Sequence, residues 1–301
     1  MSPTVTVGLD GSSESRAAAE WAAREARLRG LPLRLVNVWE PAPTPMALAP
    51  LVGVEAQQKW PERLLREATE GLRLRHPGVE VVAEQLTGRP GEVLTEAAEE
   101  AELLVLGSRG LSGIGGFLVG SVGQAVVART ERPVVLVRAG EAAADEHVMD
   151  PAGIPSAATW YRPVVLGLDT GHPHEAVIEF AIDAAMRRAT TLRVVHGFTL
   201  PPYLAYGLPD DPELNALIAA ERASALTEVL RPWRQKHPSL EIVATSRAGK
   251  AADQLVAASD DASLVVVGRR IRRSPFGAHI GPVTHAVLHH VAGPVAVVPH
   301  D

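Results

Sequence analysis

The chain has 301 residues, 46% hydrophobic and 21% charged, with a net charge of −6 and no cysteine. That length suits two domains, and the lack of cysteine excludes a disulfide framework, a thiolate nucleophile and any Cys-ligated zinc or iron–sulfur centre. The acidic balance speaks against nucleic acid as a partner, which needs a basic face. No run is long and apolar enough to span a membrane, and MSPTVTVGLD carries no basic, apolar leader, so no membrane and a cytoplasmic location are expected.

The first strand is predicted over 4–9, and the first helix carries Trp21, Ala22, Ala26 and Leu28 on its apolar side and stops at Gly30. A second strand follows at 33–38, a helix at 55–75, a strand at 79–85, a helix at 91–99, a strand at 103–106, a helix at 122–129 and a fifth strand at 134–137. Alternating strand and helix, with strands rich in Val and Leu, predict a doubly wound, open parallel sheet whose faces are both covered.

The same text is then written again. VTVGLDGS at 5–12 returns as VVLGLDTG at 164–171, LRLVNVW at 33–39 as LRVVHGF at 192–198, and RPVVLV at 132–137 as GPVAVV at 293–298. The offset is 159 residues at Asp10 and Asp169 and 161 at Gly107 and Gly268. A duplication is therefore expected, with domains at 1–138 and 162–301 joined by an Ala/Asp/Glu/Pro-rich linker at 139–161.

Ligands of such sheets bind outside the carboxyl ends of the strands. There the first half carries GSRGLSGIGGFLVGS, 107–121. Gly107 is expected to end the strand, and Gly110 to allow a positive φ or a close ligand approach. Gly120 and Ser121 open the next helix, whose first amides lack helical partners and favour an anion. Phosphate is the chemistry that fits; a flexible surface loop is the plain alternative. No G-x-x-x-x-G-K-[ST] occurs, and no G-x-G-x-x-G follows the first strand, which disfavours a P-loop or dinucleotide fold. Asp10, at a central strand end, suits a ribose hydroxyl; its competing role is to cap the first helix, a task open to Ser12 or Ser13.

Gly107-x-x-Gly110, nine residues, then Gly120-Ser121 resembles the G-x2-G-x9-G-[ST] signature of the universal stress protein family, with Asp10 at the matching strand end. The resemblance implies Rossmann-like, ATP-binding α/β domains of strand order 3-2-1-4-5. Carried onto this sequence, Asp10 would meet ribose or adenine and Val38 would hold adenine by its backbone. Gly107 and Gly110 would line ribose and phosphates, and Gly120, Ser121 and the Val122 amide would hold the phosphate tail, with Mg²⁺ as an optional companion. It also implies that the fifth strands, 134–137 and 295–298, pair the halves as a pseudo-dimer, with a homodimer through another surface left open.

The second half keeps Asp169, Gly268 and Gly281 but carries Ile271 where Gly110 stands and Pro282 where Ser121 stands. A β-branched residue resists positive φ and proline donates no N–H, so nucleotide binding there is expected to be weak or vestigial. Arg269, Arg270, Arg272 and Arg273 read as a solvated basic loop, and His285, His289 and His290 as packed or surface histidines rather than metal ligands. The Pro-rich stretches 40–53 and 199–212 read equally as lids over a nucleotide or as stiff links. No nucleophile–base–acid set assembles. The expected function is an ATP-binding stress-response sensor or signalling module, with at most weak ATPase activity. The alternatives are a slow ATP hydrolase or nucleotide-transferring enzyme on the same fold, or a ligand-free interaction scaffold.

Overall fold

The structure, a computed structural model, describes residues 3–40, 54–110, 117–199, 211–271 and 280–301. It divides into two compact units, one of residues up to Ala142 and one built from Ala143–Arg270 and Ile280–Asp301. The segments read as lids, and Arg272 and Arg273, lie largely or wholly outside the described residues.

In the first unit the elements are β1 (Val5–Gly8), α1 (Ser13–Arg29), β2 (Leu33–Trp39), α2 (Val54–Arg75), β3 (Val81–Thr87), α3 (Pro90–Glu99), β4 (Leu103–Gly110), β5 (Phe117–Leu118), α4 (Ser121–Arg129) and β6 (Val134–Arg138). The sheet runs β3-β2-β1-β4-β6, parallel throughout, with Val5 opposite both Leu33 and Leu103. This is the order the resemblance implied.

Both faces are covered. Helix α1 packs on β1, β4 and β6, while α3 lies with α4 on the sheet, touching β1 and β2. Six alanines of α1, Ala17, Ala18, Ala19, Ala22, Ala23 and Ala26, are buried, which lets the helix approach the sheet around Trp21, 1% exposed. Ser12 caps its start, and Gly30, at φ 65°, ends it in the left-handed conformation that glycine adopts without strain. Strand β3, at one edge, is buried at Val81 and half-buried or exposed from there on, and Arg34 of β2 reaches its Glu84 over 2.7 Å and Glu100 over 3.0 Å. Charges on an edge strand discourage further strand addition.

One element differs from the expectation. Strand β4 does not end at Leu106 but continues to Gly110, and β5 pairs back on it, Arg109 opposite Leu118 and Gly110 opposite Phe117. The described parts of the glycine-rich run are thus a strand extension over 107–110 and a return strand at 117–118, with Val119 and Gly120 leading into α4, and 111–116 lie outside the described residues. Gly107 lies within β4 rather than at its end.

The second unit repeats the plan with β7 (Val164–Gly167), α5 (Glu175–Arg187), β8 (Leu192–Phe198), α6 (Pro212–Lys236), β9 (Ile242–Ala248), α7 (Ala251–Ser259), β10 (Leu264–Arg270), α8 (Pro282–His290) and β11 (Val295–His300). Its sheet runs β9-β8-β7-β10-β11, again parallel. Asp211 caps α6 by accepting from the amides of Glu213 and Leu214.

Residues 143–161, read from composition as linker, are folded onto this unit. A short 3-10 turn spans Ala143–Glu146, His147 bridges to Tyr161, and their rings lie 4.0 Å apart. Glu146, 2% exposed, approaches Arg188 at 3.9 Å. Composition marks this stretch as irregular, but irregular backbone can still be pinned by its side chains.

Candidate functional site

At the carboxyl ends of the first sheet lies a cavity of about 260 Å³. Asp10, Val38, Gly107, Gly120, Ser121 and Val122 all line it. They come from the end of β1, the end of β2, the middle of β4 and the start of α4. The packed sheet brings them together across about a hundred residues of chain. Gly110 follows three residues after Gly107 in β4.

The helix start is open. Gly120 is the N-cap of α4 with φ −59° and ψ 160°, and no side chain caps it. The first helical carbonyl contact runs from the Gln124 amide to Gly120 O, 3.0 Å. The amides of Ser121, Val122 and Gly123 therefore precede the intrahelical ladder, and the helix dipole adds positive potential at the same place.

Val38 offers its backbone for a reason that sequence does not show. In a parallel ladder, alternate residues of a strand bond to opposite neighbours. Leu33 donates to Glu80 O and Trp39 accepts from Gly88, both on the β3 side, whereas Val36 accepts from Leu9 on the β1 side. Val38 shares the parity of Val36, but β1 has ended by then, so its N–H and C=O face the cavity rather than another strand.

Asp10 is less free than its sequence context promised. Ser12 does cap α1, its Oγ accepting from the Ser15 amide over 3.1 Å, but the same hydroxyl donates to Asp10 Oδ1 over 2.6 Å and the Ser12 amide donates there over 3.0 Å. Burial pushes the carboxyl up. The Ser12 side-chain and backbone bonds, with help from Ser15, outweigh this and hold it below the ordinary carboxylate range. Asp10 is a carboxylate at neutral pH, with one oxygen engaged by Ser12.

Gly107 has a packing role of its own. A Cβ there would stand 2.5 Å from the Glu14 carbonyl carbon and 2.7 Å from the Ser15 nitrogen. The glycine lets the first turn of α1 lie on β4, and thereby sets Asp10 and Ser12 beside the cavity. Arg109, Pro90 and Leu94 also line the cavity. The sequence reading passed over all three, although Arg109 lies inside the glycine motif and Pro90 opens α3.

The second unit keeps an equivalent cavity of about 480 Å³, with Asp169, Gly268 and Gly281 on its wall. Gly281 caps α8 and Pro282 occupies its first helical position, so one amide is absent. Asp169 accepts from the Gly171 amide over 2.9 Å. Glycine here replaces Ser12, so the hydroxyl bond of the first half has no counterpart, and His172 approaches the carboxylate at 3.5 Å instead. Four histidines, His172, His174, His196 and His300, line this cavity, and none was assigned to a binding site from sequence. The rings of His285 and His289 lie 4.3 Å apart on α8. Among the described residues no group of three or more His, Cys, Asp or Glu side chains is placed to hold a metal ion, and no helix is long and apolar enough to cross a membrane.

Comparison with known proteins gives one consistent result. The Universal stress protein family model matches residues 1–138 and again 161–299. A universal stress protein of Mycobacterium tuberculosis is 31% identical, covering 97% of this chain and 96% of its own. A universal stress protein from Archaeoglobus fulgidus has a similar fold at 15% identity, with TM-score 0.69 and 100% of each chain covered. Another from Archaeoglobus fulgidus, solved in complex with dAMP, is 22% identical over 45% of this chain and 97% of its own, with TM-score 0.35.

Proposed function

The chain belongs to the universal stress protein family, and on that premise we propose that its first half binds an adenine nucleotide, ATP in particular, and that the protein acts as a nucleotide-dependent sensor or signalling module in a stress response. One observation carries the reading: an uncapped helix start, an ionised carboxylate and a strand-end backbone that outruns its neighbour β1 converge on one cavity. Each matches one part of a nucleotide. The Ser121 and Val122 amides and the Ser121 hydroxyl suit the phosphate tail. The unengaged oxygen of Asp10 suits a ribose hydroxyl. The N–H and C=O of Val38 suit the hydrogen-bonding edge of adenine, with Val36, Leu94 and Leu106 as the apolar wall. Gly107 and Gly110 keep the path between ribose and phosphates free of side chains. Arg109 adds a cation, and Mg²⁺ would accompany the phosphates on the nucleotide's own oxygens.

Binding rather than turnover is the proposed mode, because the Ser12 hydroxyl, which lines the cavity and donates to the Asp10 carboxylate, is engaged in capping α1. The second half, lacking one amide and one hydroxyl, is proposed to bind ATP far more weakly. Calorimetric titration of the full chain with ATP tests both points. One tight site per chain, abolished by changes at Ser121, supports the reading. Heat that survives unchanged in a Ser121→Pro, Asp10→Ala double variant would place any nucleotide elsewhere, and rapid release of ADP would favour an enzyme.

A further inference from the structure

Ten of the eleven histidines lie beyond residue 146, and four of them line one cavity. Positions 172, 174, 196 and 300 correspond by the repeat to Ser13, Ser15, Asn37 and Ala139, so the imidazoles are peculiar to the second copy. They reach the cavity from separate places: His172 and His174 between β7 and α5, His196 in β8 and His300 at the end of β11.

We propose that this second cavity is an anion site in its own right, taking a small polyphosphate-bearing molecule against His174, His300 and Arg270, with binding that strengthens as the medium is acidified. The site is separate from the first-half cavity, and the proposal does not depend on what that cavity binds.

The geometry forms two groups. In one, Asp169 is held by the Gly171 amide and His172, and His196, 6% exposed, is fixed by Ser246 Oγ at 2.9 Å and Thr170 Oγ1 at 3.3 Å. This group is internally satisfied and pairs an acid with its bases. In the other, the rings of His174 and His300 lie 4.6 Å apart, and the buried Nδ1 of His174 has no hydrogen-bond partner among the described residues. His300 faces His174 from the entry to α5 and Arg269 and Arg270 from β10, with an oxygen of the Asp301 main-chain carboxyl 3.0 Å from its Nδ1. The carboxylate side chain on the described cavity wall, Asp169, belongs to the first group, so the Asp301 carboxyl at the rim stands against His174, His300 and Arg270. The first turn of α8 adds the amides of Val283 and Thr284 at the same cavity.

The proton balance follows from these neighbours. Burial, with the charges of His174, Arg270 and Arg269, outweighs the Asp301 bond and holds His300 below its ordinary range, and burial and Arg222 outweigh Asp169 to do the same to His196. In the free cavity His300 and His196 are therefore neutral near pH 7. An anion beside His174 and His300 favours their protonated forms, so binding takes up protons and tightens as pH falls. A group whose affinity for protons is higher in the complex gains up to about tenfold in ligand affinity per pH unit for each proton taken up, between its bound and free values. Histidine charge would replace what the second copy lost through Pro282.

The test uses the full chain, with imidazole ring resonances followed by NMR and inorganic triphosphate as the probe. It has no adenine and stays a multiple anion across the range. The expected result is saturable movement of the His174 and His300 signals, with a midpoint at least about tenfold lower near pH 5.5 than near pH 7.5. His174→Gln and His300→Gln should each weaken the acid-side affinity by about tenfold or more and flatten the pH dependence, while an unmoved His196 signal shows that the cavity is intact. A Ser121→Pro chain should behave as the native one, which separates this site from the first-half cavity. Equal affinity at both pH values, no movement of either ring, or equal drift of every surface histidine would overturn the proposal.

Discussion

The hydroxyl of Ser12 donates to Asp10 Oδ1 over 2.6 Å while accepting from the Ser15 amide over 3.1 Å. One oxygen thus closes the start of α1 and aims the carboxylate beside the cavity. Ser12→Ala removes both bonds. It should cost about 1 kcal/mol in urea unfolding, the usual worth of an N-cap, and should also weaken ATP binding, because Asp10 loses its restraint. A loss of stability with unchanged affinity would show that Asp10 does not meet the nucleotide.

Acid should reveal the same pair. The folded-state pKa of Asp10 lies below the ordinary carboxylate value, because hydrogen bonds from Ser12 outweigh burial. A depressed carboxyl contributes stability above its unfolded value, and that contribution is lost as pH falls through the folded one. Asp10→Asn keeps an acceptor oxygen but no charge. Urea midpoints of native and Asp10→Asn chains should therefore differ by a constant amount from neutral pH down to about pH 5 and converge below the carboxyl range. A gap that persists in acid would mean the charge of Asp10 is not what Ser12 stabilises.

The second copy supplies a natural experiment for the helix start. Pro282 sits at the first position of α8 without disturbing the helix, so Ser121→Pro should leave the fold of the first half intact. It removes one N–H and one hydroxyl from the proposed phosphate site. At about 1.5–3 kcal/mol for each hydrogen bond to a charged group, ATP affinity should drop by about two to four orders of magnitude. Calorimetry and thermal unfolding on the same variant separate the two effects.

Two glycines of one motif should respond in opposite ways. At Gly107 a Cβ would stand 2.5 Å from the Glu14 backbone, whereas at Gly120 nothing lies within 4 Å and φ is −59°. Gly107→Ala should force α1 and β4 apart at a cost of about 1–3 kcal/mol. Gly120→Ala should change stability by less than about 0.5 kcal/mol. Equal thermal midpoints for the two variants would contradict the close packing.

Much of the fold could be read along the chain because its signals are local. The Val and Leu runs, the capping serine at 12, the stop at Gly30 and the repeat of Asp10 as Asp169 each depend on residues within a few positions, or on one register compared with another. The boundaries drifted where tertiary pairing overrode local cues. Strand β4 runs on to Gly110 because β5 is there to pair with it, and residues 143–161 are ordered because His147, Glu146 and Tyr161 find partners.

By itself the sequence determined that there are two copies of one α/β plan, that a small-residue helix start closes the glycine-rich motif of the first, and that the second departs from it at Ile271 and Pro282. Tertiary structure alone decided what each residue faces. Val38 has a backbone turned to the cavity only because β1 stops short of it, and Gly107 is small because α1 lies on it. The histidines at 174 and 300 meet only because parallel strands and crossover helices bring distant segments to one sheet end. Periodicity reports the solvent-facing and buried sides of an element. It carries no information about which element lies opposite, and the chemistry of both cavities is made there.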